Sequence, residues 1–141
     1  MALVTKPLKF SLCRRLAEKR FEEAGILLER RKYSGAYYLS GYCIELALKA
    51  GYCKKVGKYN FPPEREIYNK LYSHDLNDLL EISGYKSSFE TEILTDNSLY
   101  AAWGVVKEWD ETTRYKIAGR VDAKSMISST KRVLDWIKTK W

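Results

Sequence analysis

Apolar residues recur at intervals of three and four along nearly the whole chain, and alternating β-branched runs are missing, so helices are the only regular structure the pattern supports. Proline, which breaks helices, stands only at positions 7, 62 and 63. The first helix is expected from about Ser11, as N-cap, to about Arg31, with Cys13, Leu16, Ala17, Phe21, Ala24, Leu27 and Leu28 on one face. The second, about Ser34 to Cys53, is the least polar segment and the natural centre of a bundle. Gly57 to Asn60 and Pro62-Pro63 break the pattern next. A shorter helix follows Ser73, carrying Leu76, Leu79, Leu80 and Ile82 before Gly84 ends it. Another begins near Thr95 or Asp96 with Leu99, Ala102, Trp103 and Val106 inward. Asp110 to Arg120 reads as a loop or helix break. Asp122 then caps a final helix with Met126, Thr130, Val133 and Ile137 inward and Ile127 and Leu134 alongside. The expected fold is all-α: an up-and-down four-helix bundle with one or two short accessory helices. With 141 residues, 45% of them hydrophobic, residues 1–141 suffice for one core and one domain.

Composition narrows the chemistry. The chain has one histidine, His74, which rules out sites built on two histidines and forces any imidazole-based mechanism through that residue. Its formal charge of +7 favours anionic partners without demonstrating nucleic acid. Cys13, Cys43 and Cys53 are odd in number, lack C-x-x-C spacing and fall in helical segments, as buried thiols of a reduced protein do. Residues 1–10 contain no apolar stretch of signal-peptide length, and no apolar run approaches the roughly 20 residues of a membrane span. A cytoplasmic protein without a membrane association is expected.

The second helix separates into stripes. Ala36, Ser40, Cys43, Ala47 and Ala50 stack along one of them, so a neighbouring helix can approach closely. Tyr37, Gly41, Ile44 and Leu48 lie beside it, with Leu39 and Leu46 on the other flank. The remaining stripe is Tyr38, Tyr42, Glu45, Lys49 and Tyr52. Glu45 and Lys49, four apart in the order helices favour, form either an intrahelical ion pair or part of a polar cleft with the tyrosines. In the second case Arg114 and Tyr115 supply a further cation and ring, a combination suited to a nucleotide or an RNA segment.

The words GAYYLSGYCIELALKA (35 to 50), SHDLNDLL (73 to 80) and RY at 114 and 115, in this order, resemble the HEPN domain family over about residues 11 to 140. The resemblance implies a small helical bundle, frequently a homodimer, often encoded beside a minimal nucleotidyltransferase. Many HEPN proteins are metal-independent ribonucleases with an R-x(4 to 6)-H motif. Here the motif would need an arginine at 67, 68 or 69, where Ile67, Tyr68 and Asn69 stand; the nearest upstream arginine, Arg65, is too distant. The resemblance therefore implies a non-nuclease pattern, with Glu45, Lys49, His74, Arg114 and Tyr115, flanked by Tyr38 and Tyr42, as candidate ligand-binding positions and no catalytic residue.

Each position also has a plainer reading. His74 between Ser73 and Asp75 suits a helix-start cap, and with Asp78 it makes only two of the ligands a metal needs, so no metal or cofactor is expected. Arg114 can be solvated or paired with Asp110 or Glu111. The basic groups Arg14-Arg15, Arg30-Arg31-Lys32, Lys54-Lys55 and Lys131-Arg132 read as solvated faces, two of which could combine into a phosphate-binding surface. The leading expectation is a non-catalytic HEPN-type module: a homodimer, and a nucleotide- or RNA-binding partner of a minimal nucleotidyltransferase. The alternatives are a degenerate metal-independent, toxin-like ribonuclease joining His74 and Arg114 in space, or a dimeric scaffold or antitoxin.

Overall fold

The computed structural model describes residues 9–57 and 69–141, all of whose regular structure is helical. The expected break at residues 58 to 63 lies outside the described residues. The described residues include α1 (Phe10–Glu29), α2 (Tyr33–Val56), α3 (Leu76–Ser83), α4 (Lys86–Glu92), α5 (Asn97–Val106) and α6 (Arg120–Lys138). A 3-10 turn, Glu111–Tyr115, separates the last two.

Contacts at the helix ends fix the chain directions. α1 and α2 form an antiparallel hairpin closed by Lys32 N donating to Leu27 O at 2.8 Å, and Lys54 near the end of α2 returns to within 5.7 Å of the Phe10 ring. α2 and α6 run parallel: Ala118 N donates to Ser34 Oγ at 2.9 Å at one end, and Lys54 Nζ donates to Lys140 O at 3.1 Å at the other. α5 is antiparallel to α6, its N-cap Asp96 paired with Arg132.

The small-residue stripe of α2 makes this compactness possible. Ala36, Ser40, Cys43, Ala47 and Ala50 are all fully buried, and α1 presents its own small residues Cys13, Ala17 and Ala24 from the opposite side. Small side chains at these positions let the two backbones approach closely. α3 packs on the other side of α2 through Leu76, Leu79 and Leu80. α6 contributes Met126, Val133, Leu134 and Ile137, and α5 contributes Leu99, Ala102 and Val106.

Some expected helix starts are displaced. Ser11 is not the cap of α1; Lys9 precedes the helix, its carbonyl accepting from Cys13 N, with no side-chain cap. α2, by contrast, starts at Tyr33, within one residue of the expected Ser34, whose hydroxyl accepts the Ala118 amide. Asp122 does not cap α6; Gly119 is the N-cap and Asp122 sits in the first turn, where a carboxylate still favours the positive end of the helix dipole. By contrast, Asp96 does cap α5, accepting from Leu99 N at 2.9 Å, and Gly84 adopts the left-handed conformation (φ 89°) that ends α3. Helix α4 was not expected, because its sequence KSSFETE holds a single large apolar residue and so no period. That residue, Phe89, is buried between Trp103 and Trp136, with centroids at 5.3 and 5.2 Å.

Candidate functional site

The mixed stripe of α2 is covered rather than open. Glu45 is 1% exposed and Lys49 7%, deeper than a solvated helix pair would lie. Lys49 Nζ is 3.2 Å from Glu45 Oε2, and Glu45 Oε1 is 2.5 Å from His74 Nδ1. One carboxylate therefore holds a cation from its own helix and an imidazole from the segment leading into α3. Because the carboxylate accepts, Nδ1 donates, and Nε2 is the ring nitrogen left for other contacts. The ammonium also lies 5.6 Å from the Tyr72 ring centroid, a cation–π distance. Burial of this kind is tolerated because each charge has an opposite or hydrogen-bonding partner within reach.

Local sequence explains how His74 becomes free to make this bond. Asp75, not His74, caps α3, accepting from Asn77 N at 2.8 Å and Asp78 N at 3.2 Å, while Ser73 Oγ accepts from Asp75 N at 3.0 Å. The cap is complete without the imidazole, which turns toward α2. Its side chain remains 40% exposed, so the set is sealed on the Glu45 side and open on the His74 side.

Tyr38 and Tyr42 belong to a second group, assembled around Trp109. The Trp109 ring lies 5.7 Å from Tyr38 and 6.3 Å from Tyr42, and the two tyrosines are 6.1 Å apart. Gly41 is what admits the indole: a Cβ there would sit 2.1 Å from Trp109 Cγ. Trp109 is 1% exposed, and its Nε1 has no hydrogen-bond partner among the described residues. The Tyr42 hydroxyl is held above its ordinary pKa, first by burial and then by the nearby Glu45 charge. Sequence reasoning missed Trp109, which stands just past the inward series of α5; the glycine inside an otherwise bulky face of α2 was the available signal.

Arg114 and Tyr115 sit elsewhere. The 3-10 turn that carries them is fixed by Asp110, which accepts from Thr112 N at 2.8 Å, while Thr113 Oγ1 accepts from the Asp110 amide. Tyr115 is 80% exposed, and the Arg114 guanidinium carbon lies 5.3 Å from its ring. The same segment borders a cavity of about 490 Å³ lined by Ser34, Tyr37, Glu108, Thr113, Lys116 and Asp122 among others. Burial, and then the Asp122 and Glu108 charges, push the Tyr37 hydroxyl up. This end of α2 is eleven residues from Glu45, about 16 Å along the helix axis. The structure therefore brings Glu45, Lys49 and His74 into one network and Tyr38 and Tyr42 into another, with Arg114 and Tyr115 on a separate exposed element.

Among the described residues, no three His, Cys, Asp or Glu side chains are grouped as a metal site requires. Nor is any described helix long and apolar enough to cross a membrane. The three cysteines are free thiols, all buried, and burial pushes Cys43 up to about 12. A sequence model of the HEPN domain matches residues 10–140. The chain belongs to the HEPN domain family. No curated protein and no solved structure matches it. Within this HEPN domain the glutamate and lysine of α2 and the histidine before α3 form one hydrogen-bonded set.

Proposed function

We propose that this HEPN domain is a non-catalytic binding module that takes a nucleotide or an RNA segment and serves as the partner subunit of a minimal nucleotidyltransferase. One observation carries the reading: the sole histidine meets Glu45, a buried acid, at 2.5 Å. A ribonuclease of the R-x(4 to 6)-H kind needs an arginine beside its histidine to stabilise phosphate charge. Here the partner of the histidine is a carboxylate, which supplies no positive charge to a phosphate. The three-residue network ties α3 to α2 and holds the bundle in shape. Recognition falls to the exposed Arg114 and Tyr115, whose guanidinium and ring match a phosphate and a base.

The test is direct. Purified protein is mixed with end-labelled single-stranded RNA, or with ATP, in the presence of a chelator. Salt-sensitive retention without cleavage, weakened at least severalfold in Arg114→Ala/Tyr115→Ala, is the expected result. RNA cleavage that persists with chelator and vanishes in His74→Ala overturns it. A small nucleotidyltransferase encoded beside this chain should co-elute with it after co-expression, and sedimentation of the free protein should return the mass of a homodimer.

A further inference from the structure

We infer that this chain carries a second anion site, distinct from the Arg114 and Tyr115 surface: a lysine groove at the joint C-terminal ends of α2 and α6 that holds the phosphodiester backbone of a nucleic-acid strand. Lys54, Lys55 and Lys140 line an open groove of about 580 Å³ whose floor includes Gly51, Gly84 and Tyr85. The parallel course of α2 and α6 brings the adjacent Lys54 and Lys55 together with Lys140 from a distant part of the sequence.

The lysine stems are anchored. Lys54 Nζ donates to the Lys140 carbonyl at 3.1 Å, Lys140 Nζ stands 5.2 Å from the Trp136 ring, and the Lys55 stem runs beside Gly84. Among the described residues none of the three is ion-paired. Acids on the adjoining helices are already engaged elsewhere: Glu81 with Lys70 at 3.1 Å and Glu18 with Lys138 at 3.5 Å. Arg14, 5.4 Å from the Phe10 ring that Lys54 also faces, continues the basic surface past the groove. Glycines at 51 and 84 keep the floor low; Tyr85 fills the space above Gly51, and its buried hydroxyl has no hydrogen-bond partner among the described residues.

A helix C-terminus attracts lysine on its own account, and Lys54 satisfies that role. Lys55, in the same last turn, and Lys140 add to it, and three ammonium groups without an ion-pair partner among the described residues match closely spaced phosphates. A lipid surface is the poorer match: Tyr115, Ile117 and Val121, three strongly exposed large apolar side chains, flank the start of α6, at the opposite end from these lysines.

The experiment measures binding of labelled single-stranded oligonucleotide to the full chain across a salt series. Lys54→Gln/Lys55→Gln/Lys140→Gln is expected to weaken binding by about tenfold at low salt and to flatten the logarithmic salt slope by about 2, since each phosphate contact on a single strand contributes about 0.7. Lys55→Gln/Lys140→Gln spares the helix-end bond of Lys54 and should still lose about two thirds of that slope change, which separates binding from folding; the three arginine replacements should restore it. An unchanged slope in either glutamine variant overturns the site, as does preferential capture by phosphatidylserine vesicles with no oligonucleotide bound. If Arg114→Ala/Tyr115→Ala alone abolishes binding, the groove is overturned and the reading above stands; loss confined to the glutamine variants supports the groove.

Discussion

In the middle of α2, Glu45 and Lys49 are buried and paired with each other, and Glu45 also with His74, whereas Arg114 and Tyr115, on the turn before α6, stand in solvent with guanidinium over ring. Both regions combine a charge with an aromatic side chain. What separates them is what lies above. The α2 stripe is covered by the segment entering α3, whose Tyr72 and His74 supply a ring and a hydrogen-bond donor to groups that would otherwise be uncompensated. Among the described residues, nothing of that kind covers the 3-10 turn. Charged residues on a central helix thus act as internal connectors, while the same residue types on a short exposed turn remain available to a partner.

The largest expected effect comes from removing the acid on which the buried set converges. Glu45→Ala leaves the Lys49 ammonium buried without its partner and His74 without its acceptor, and should cost about 3 to 5 kcal/mol in urea unfolding at neutral pH. A loss below about 1 kcal/mol would mean that the network is solvated and that the two regions are alike. His74→Ala removes a half-exposed partner and leaves the Lys49 pair intact, so a loss of about 1 to 2 kcal/mol is expected. Reversal of that order would place the strength of the network in the imidazole.

Gly41→Ala tests the aromatic group. The added methyl would meet Trp109 Cγ at 2.1 Å, so the indole or the helix must shift, with an expected destabilisation of about 1 to 3 kcal/mol and a changed tryptophan fluorescence maximum. Gly104, whose added Cβ would meet nothing within 4 Å, serves as the control. Gly104→Ala should stabilise slightly through helix propensity.

Most of the helical framework was legible because it rests on repeated spacing. The inward series of α2, α3, α5 and α6 are visible as three- and four-residue intervals, and the small stripe on α2 announces close packing. Two starts were less legible, since Ser11 and Asp122 have capping chemistry but the helices begin before them, after Lys9 and Gly119. Helix α4 depends on one tertiary anchor, Phe89, which no periodicity reports. At the site, sequence spacing placed Glu45 above Lys49, but whether their stripe was solvated depended on a segment some thirty residues later in the chain. Trp109 likewise became part of the tyrosine face only through Gly41.

Alkaline pH offers a finer probe of the covered side. Burial holds the Cys43 thiol up to about 12, against about 9 for an unburied thiol. Its folded pKa is raised, so the contribution is fully present below pH 9 and declines as pH climbs from 9 toward 12, where the unfolded chain releases a proton that the folded one retains. Cys43→Ala should remove this part of the alkaline slope, measured by urea unfolding between pH 8 and 10.5. An unchanged slope would indicate that the thiol is reached by water.

The smallest effect on stability is expected where the effect on recognition is greatest. Arg114→Ala removes a guanidinium whose described contact is the face of a ring 80% exposed, and such surface groups contribute little to folding. Its unfolding free energy should stay within about 0.5 kcal/mol of the parent, and Tyr115→Ala should do the same. Under the proposed function both variants nevertheless lose affinity for a nucleotide or RNA, measured by fluorescence anisotropy at low salt. That combination would sharpen the contrast between a connector inside the bundle and a contact point outside it. A stability loss as large as that of His74→Ala would break the contrast, because it would make Arg114 a structural group whose surroundings depend on it.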